Sequence, residues 1–397
     1  LTHFLPVAEY GLYALTIVVA EMADMTCSSW IRLAQLRLDT PQPESLRCAT
    51  LRSLRLTVAA VLAGVFGAIM VSRLLVPARS LAFALAVGSY VVANGFLRLG
   101  LTVLRLRGKA VAYSALETGR AIGICAGALA AVEFVSRSFL AASLATSCTT
   151  AIFGILAYLF CLRGTTDTQS GAAGYRERLR YGAPIVLLMV ITYLFTSSDR
   201  LLLQVLGSPA ALGIYAAAFA LAKQPIEAVA NAVNQGSFPE LIQRYEAGGA
   251  GLAAEFLGQT LVFLVALVLP LIVLLIAFAG PLVHALLPHA YREIGPAIVP
   301  YIAIGTLCLY VKSFVLDQVF YVVRKNWIQV ATFLPAAVAA VAANVLLIPR
   351  FGAIGAAQAM CLANFVGLIT SFVVSARYIR PVISMRLLSL RAASIFR

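Results

Sequence analysis

The sequence predicts an all-α polytopic membrane protein: eleven transmembrane helices out of a plan of twelve, in two pseudo-symmetric six-helix lobes. Three observations carry that prediction. The 397 residues are 61% apolar and only 12% charged, with a mean hydropathy of +0.94, whereas a soluble domain carries about 25% charged residues. The apolar residues form long continuous runs, each able to span about 30 Å of hydrocarbon as a helix, and do not alternate as in a transmembrane barrel. The bases fall unevenly between alternate connections. The same numbers exclude a soluble enzyme or binding domain, which needs a polar surface, as well as disorder, collagen and a disulfide scaffold.

Taken in order, the spans fall at 10–34, 56–76, 80–104, 110–133, 138–162, 181–206, 210–236, 252–279, 296–320, 327–348 and 352–376. Short connections make neighbours antiparallel. The polar, Gly/Thr/Ser-rich connection from Arg163 to Arg180 reads as a linker. It divides the chain into an N-terminal lobe (1–162), a linker (163–180), a C-terminal lobe (181–376) and a basic tail (377–397). In the tail, bases alternate with Ile, Leu, Met and Phe, which suits an interfacial helix on anionic lipid and equally a frayed end. Nineteen Lys and Arg lie in the connections and tail of one side against five on the other. That asymmetry puts the first side, with the C-terminus, in the cytoplasm of the cell (inner) membrane.

A repeat underlies the two lobes. Gly11-Leu12-Tyr13-Ala14 opens the first span, and Gly213-Ile214-Tyr215-Ala216 opens the seventh, 202 residues later. Each follows a Pro-containing turn, Leu5-Pro6 or Ser208-Pro209. Both copies run in the same direction, so the repeat is parallel. A whole span precedes the second copy and about ten residues precede the first, so the repeat predicts one further helix before Leu1.

Charges in hydrocarbon cost about 2.5–3.5 kcal/mol on insertion scales and are functional candidates. Among the charges within the spans are six bases (Arg32, Arg98, Arg120, Arg200, Lys223, Lys312) and six acids (Glu21, Asp24, Glu117, Asp199, Glu227, Asp317). Glu21, Asp24, Arg120 and Lys223 lie near the midplane. Arg32, Arg98 and Asp317 are close enough to the cytoplasmic face to snorkel, and Asp199 and Arg200 sit near the outer face. Glu117 and Arg120 are three apart and Lys223 and Glu227 four apart, so each pair shares a helix face. Such pairs either neutralise each other or line a cavity in which Arg98, Arg120 and Lys223, with Glu117 and Glu227, meet an anionic head group. Glu21 and Asp24 share a face with no base within a turn. They either hold a proton or cation for coupling or pair with a base on another helix. Gly119, Gly123 and Gly127 form a doubled G-x-x-x-G that lets helices approach closely. Pro225 and Pro270 break a backbone hydrogen bond mid-span and kink it, as a moving hinge or as a fixed bend.

No catalytic constellation is present: there is no G-x-S-x-G, H-E-x-x-H or P-loop, and no extramembrane segment is long enough for an enzymatic domain. The seven Cys include no C-x-x-C, and His284 and His289 lie in one loop without a ligand cluster. The chain is therefore expected to be no enzyme, with no cofactor or metal. Apart from the twelve charges named above, 24 bases stand against 10 acids. The net charge of +14 thus marks the cytoplasmic face and gives no reason to expect nucleic acid as a partner.

Several segments together carry a resemblance: Glu9-Tyr10-Gly11-Leu12-Tyr13-Ala14, Tyr181-Gly182-Ala183-Pro184, Ser197-Ser198-Asp199-Arg200, Gly213-Ile214-Tyr215-Ala216, Phe238-Pro239, and Leu347 through Gly355. In order and spacing the chain resembles the polysaccharide exporters and O-antigen flippases of the multidrug/oligosaccharidyl-lipid/polysaccharide exporter superfamily. The resemblance implies twelve helices in two lobes, alternating access, and a polyprenyl-pyrophosphate-linked oligosaccharide as cargo. It implies lipid-linked oligosaccharide, membrane lipids, and polysaccharide polymerase and chain-length machinery as partners. The alternative within the superfamily is a cation-coupled multidrug exporter.

Overall fold

The computed structural model describes residues 1–38, 43–162, 174–325 and 327–382. Of the expected segments, 163–173 of the linker and 383–397 of the tail lie outside the described residues. The described residues are helical, with no strand among them. The helices are α1 (Val7–Cys27), α2 (Ser29–Leu38), α3 (Pro43–Leu75), α4 (Ser80–Leu106), α5 (Ala110–Phe134), α6 (Phe139–Leu162), α7 (Tyr175–Leu206), α8 (Pro209–Ala277), α9 (Ala279–Leu286), α10 (Gly295–Val311), α11 (Gln318–Val322) and α12 (Ile328–Ser375). A π-helical turn, Lys312–Leu316, joins α10 to α11.

Seven helices are long and apolar enough to cross a membrane, or eight if α1 and α2, bent by 42°, count as one span. Two of the seven each hold two of the expected spans. α8 is 69 residues long and breaks at Gly248–Gly249, and the 48-residue α12 breaks at Gly352. Gly249 (φ 66°) and Gly352 (φ 56°) take the left-handed backbone that other residues resist. Up to that break, the polar stretch after the first span of α8 stays helical because helix needs backbone bonds and not apolar side chains. The outward residues are those of a lipid-facing surface: Leu62 (65% exposed), Phe66 (64%), Leu74 (79%), Ile122 (65%) and Val338 (62%) would be a large apolar liability in water.

The chain divides into two compact units, Leu1–Tyr193 with Ser208–Gly213, and Leu194–Gly207 with Ile214–Arg397. In unit 1, α4 is the central helix and packs on α6, α3 and α1. Leu97, Leu101, Val103 and Leu104 of α4 form a core with Leu116 of α5 and Ala157 of α6. The doubled G-x-x-x-G seats α5 on α6: a Cβ at Gly119 or Gly123 would meet the Phe153 ring, and one at Gly127 would meet Thr149. The repeated motifs also meet inside this unit. A Cβ on Gly11 would collide with the Pro209 carbonyl, and one on Gly213 with the Val7 carbonyl. Glycine at both positions is what allows the two backbones to touch. In unit 2, α10 packs on α12 along small residues. A Cβ at Gly305 would lie 3.0 Å from the Cys361 backbone.

Candidate functional site

Unit 1 gathers its intramembrane charges around α1, α2, α4 and α5. The helix breaks at Ser28, where φ and ψ of −120° and −19° leave the helical region. Trp30 Nε1 donates to the freed Cys27 carbonyl at 2.8 Å. The break turns Arg32 back onto Asp24. Its Nη1 and Nη2 donate to the two carboxylate oxygens, each at 2.9 Å, in a bidentate fork. Ser28 Oγ also donates to the carboxylate. Arg98 of α4 brings a second guanidinium, with Nε 3.6 Å from Asp24 Oδ2 and 3.2 Å from Asn94 Oδ1. Asp24 is thus buried between two bases. The sequence left open whether Asp24 pairs with a base or carries an ion; in the structure it is paired. Arg32, expected to snorkel, is paired with this buried carboxylate.

Two features leave hydrogen-bonding capacity here. The Arg98 side chain is 39% exposed while Asp24 is 3% exposed, so Arg98 keeps open surface that Asp24 lacks. Among the described residues the buried Asn94 Nδ2 has no hydrogen-bond partner. On α5, Arg120 donates Nε and Nη2 to Glu117 Oε2 at 3.1 and 2.7 Å, so the expected pair forms and stays partly exposed. Tyr90 of α4 lies within electrostatic reach of Glu21, Arg98 and Arg120. Glu21 takes no ion-pair partner among the described residues. At the edge of the unit, Glu9 pairs with Arg79 and accepts the Phe139 backbone N–H at 2.8 Å, which fixes the starts of α1 and α6.

Unit 2 holds the other candidates. Lys223 Nζ lies 3.7 Å from Glu227 Oε2, as the four-residue spacing predicted, and Tyr310 of α10 hydrogen-bonds Glu227. One turn earlier, Arg200 stacks over the Phe219 ring at 4.0 Å and Lys223 lies 5.3 Å from the same ring. Asp199 is buried and accepts from Tyr215 Oη and the Arg200 backbone N–H. Arg200 is therefore held by an aromatic face and Lys223 by an acid.

One cluster was not legible in the sequence. Asp317, expected near the cytoplasmic face, is buried and bonded to Lys312 Nζ at 2.6 Å. Residues five apart do not share the face of an α-helix, but the π turn brings them together, with the Asp317 N–H donating to the Lys312 carbonyl at 2.8 Å. Among the described residues no group of His, Cys, Asp and Glu could hold a metal ion.

Comparison with known proteins follows the same lines. The sequence profile of a family described as polysaccharide biosynthesis protein matches residues 1–296. No curated protein sequence matches. Among solved structures, the fold is similar to the lipid II flippase MurJ in an inward-closed conformation (TM-score 0.69, 11% identity, covering 93% of this chain and 86% of that one). It is similar to a superfamily transporter from Pyrococcus furiosus (0.65, 14%, 94% and 88%). A multidrug resistance MATE family transporter of the MOP superfamily in an inward-facing conformation is also similar (0.62, 12%, 95% and 94%). At such identities the likeness concerns the fold.

Proposed function

Because the chain belongs to the polysaccharide biosynthesis protein family, we propose that it is a flippase that moves a polyprenyl-pyrophosphate-linked oligosaccharide across the cytoplasmic membrane by alternating access. The observation that carries this reading is the unsaturated polar centre of unit 1. Arg32 and Arg98 share the single carboxylate of Asp24, Arg98 is 39% exposed, and among the described residues Asn94 keeps a free donor. A pyrophosphate needs charge-assisted donors in fork geometry. Arg98 and Arg120, each with N–H groups beyond those used internally, suit it. In unit 2, Lys223 beside Glu227 and Tyr310 offers an ammonium with neighbouring acceptors that suit sugar hydroxyls. The bend at Ser28 and Pro225 beside Lys223 supply places where a helix can change direction.

In this reading the lobes are 1–162 and 181–376, joined by the cytoplasmic linker 163–180, with the C-terminus also cytoplasmic by the nineteen-to-five asymmetry of bases. A polymerase with its chain-length machinery takes the cargo next. The protein then performs no bond chemistry. Deleting the gene is expected to make lipid-linked repeat units accumulate in the inner leaflet; unchanged glycolipid levels would sink the proposal.

The MATE fold neighbours favour a second reading, a cation-coupled exporter of small molecules, with Glu21 and Asp24 as ion-coupling residues. Against it, Asp24 already carries two guanidiniums, which leaves Glu21 as the open carboxylate. Restored dye efflux in a pump-deficient strain, lost with Glu21→Gln, would favour this reading over the first.

A further inference from the structure

Unit 2 contains a second polar cluster with no part in either reading above. Lys312 is fully buried (0%) and Asp317 nearly so (3%). Asp317 Oδ2 takes Lys312 Nζ at 2.6 Å, and Oδ1 takes the Ser371 hydroxyl at 2.8 Å. The ammonium sits 3.5 Å from the centre of the Phe333 ring and 6.0 Å from that of Phe195. Its aliphatic stem runs past Gly367, where a Cβ would lie 3.2 Å from Cδ and 3.3 Å from Cε. The elements packed on the pair therefore present Phe195 from α7 and Phe333, Ser371 and Gly367 from α12. Gln318, next in the chain, turns to Asn234 of α8 at 2.7 Å. Among the described residues Asp317 is the one charged group acting on Lys312.

Three observations point to a working site. A buried ion pair contributes little net stability, and apolar residues of the same volume serve a purely structural role as well. Ionisable residues inside a membrane are functional by default. A π turn is a strained insertion that recurs at functional positions, and this one is braced by the pair, whose two members are its first residue and the residue after its last.

We propose that Lys312 and Asp317 form a proton-binding site that sets the shape of the helical segment 295–322. With Asp317 ionised, the carboxylate is shared between ammonium and hydroxyl and the π turn is held. A proton delivered from water to Oδ2 removes the anion that faces Nζ, while Lys312 keeps its own charge. A buried ammonium without a counter-ion is costly, so Lys312 moves toward water and the turn loses its brace. Loss of the proton restores the pair. Proton binding and the relaxed turn therefore favour each other, as linkage requires.

The test uses the full chain in lipid vesicles and pH-difference infrared spectroscopy, which reads protonated carboxyls whatever the cargo. Lowering the pH is expected to raise a protonated-carboxyl band that Asp317→Asn abolishes, Glu117→Gln leaves in place, and Ser371→Ala moves in frequency. A band unchanged in Asp317→Asn, or no band dependent on Asp317 while the protein stays folded, overturns the proposal. Should Asp317→Asn not fold, the double variant Lys312→Met/Asp317→Leu strands neither charge. In the wild type, hydrogen-exchange protection of 312–322, corrected for intrinsic rates, is expected to fall as the pH is lowered, and in the double variant to be independent of pH. The same pH response in both proteins overturns the proposal equally.

Discussion

Asp24 in unit 1 and Asp317 in unit 2 are equally buried, at 3% each, and are seated in opposite ways. Asp24 meets two guanidiniums, one of them 39% exposed, so bases outnumber acids at the point of contact. Asp317 meets one ammonium with no exposure, and its other oxygen is closed by Ser371. A surplus of outward-facing donors is what an anionic ligand requires, whereas a matched and sealed pair has nothing to offer a ligand larger than a proton. The same residue types thus serve different ends according to stoichiometry and access.

The largest effects should come from breaking the matched pair. Lys312→Met strands a buried carboxylate and is expected to cost about 3–5 kcal/mol, while Lys312→Met/Asp317→Leu should stay near wild-type stability. Thermal denaturation in detergent compares them, and a double variant as unstable as the single one would deny that the pair is a matched unit. Asp24→Asn should cost about 3 kcal/mol, because it strands Arg32, which lies against the carboxylate with only 12% of its side chain exposed. Arg98→Gln should cost less than about 1 kcal/mol, being partly exposed, yet lose surface polysaccharide. That split between stability and function sharpens the contrast, and an Arg98→Gln variant with wild-type polysaccharide removes Arg98 from the site. Gly11→Ala pushes a methyl into the Pro209 carbonyl and should cost about 1–3 kcal/mol. A small effect, about 1 kcal/mol, is expected for Gly367→Ala, whose methyl crowds the Lys312 stem at 3.2 Å.

The sequence made one half of this contrast readable and hid the other. Glu117 with Arg120 and Lys223 with Glu227 were legible because an α-helix puts residues three and four apart on one face. The packing role of Gly119, Gly123 and Gly127 was legible from spacing alone. Arg32 with Asp24 was not, since eight residues rise about 12 Å along a straight helix and only the break at Ser28 folds the fork back. Arg98 reaches Asp24 from another helix, which no spacing reveals. Lys312 with Asp317 was hidden because five-residue spacing fails in an α-helix and works in a π turn. The all-helical, apolar character was legible from continuous hydropathy, but the persistence of helix into the polar stretch of α8 as far as Gly248 depends on backbone bonding that hydropathy does not report.

The central claim is tested most directly by reconstituting the full chain in liposomes that carry a polyprenyl-pyrophosphate-linked oligosaccharide and following the glycan's accessibility to an impermeant glycosidase. The wild-type protein is predicted to raise the accessible fraction above that of protein-free liposomes, and Arg120→Ala/Lys223→Ala to abolish the rise. A wild-type protein that leaves accessibility at the protein-free level contradicts the flippase assignment, and a double variant that matches wild type contradicts the site.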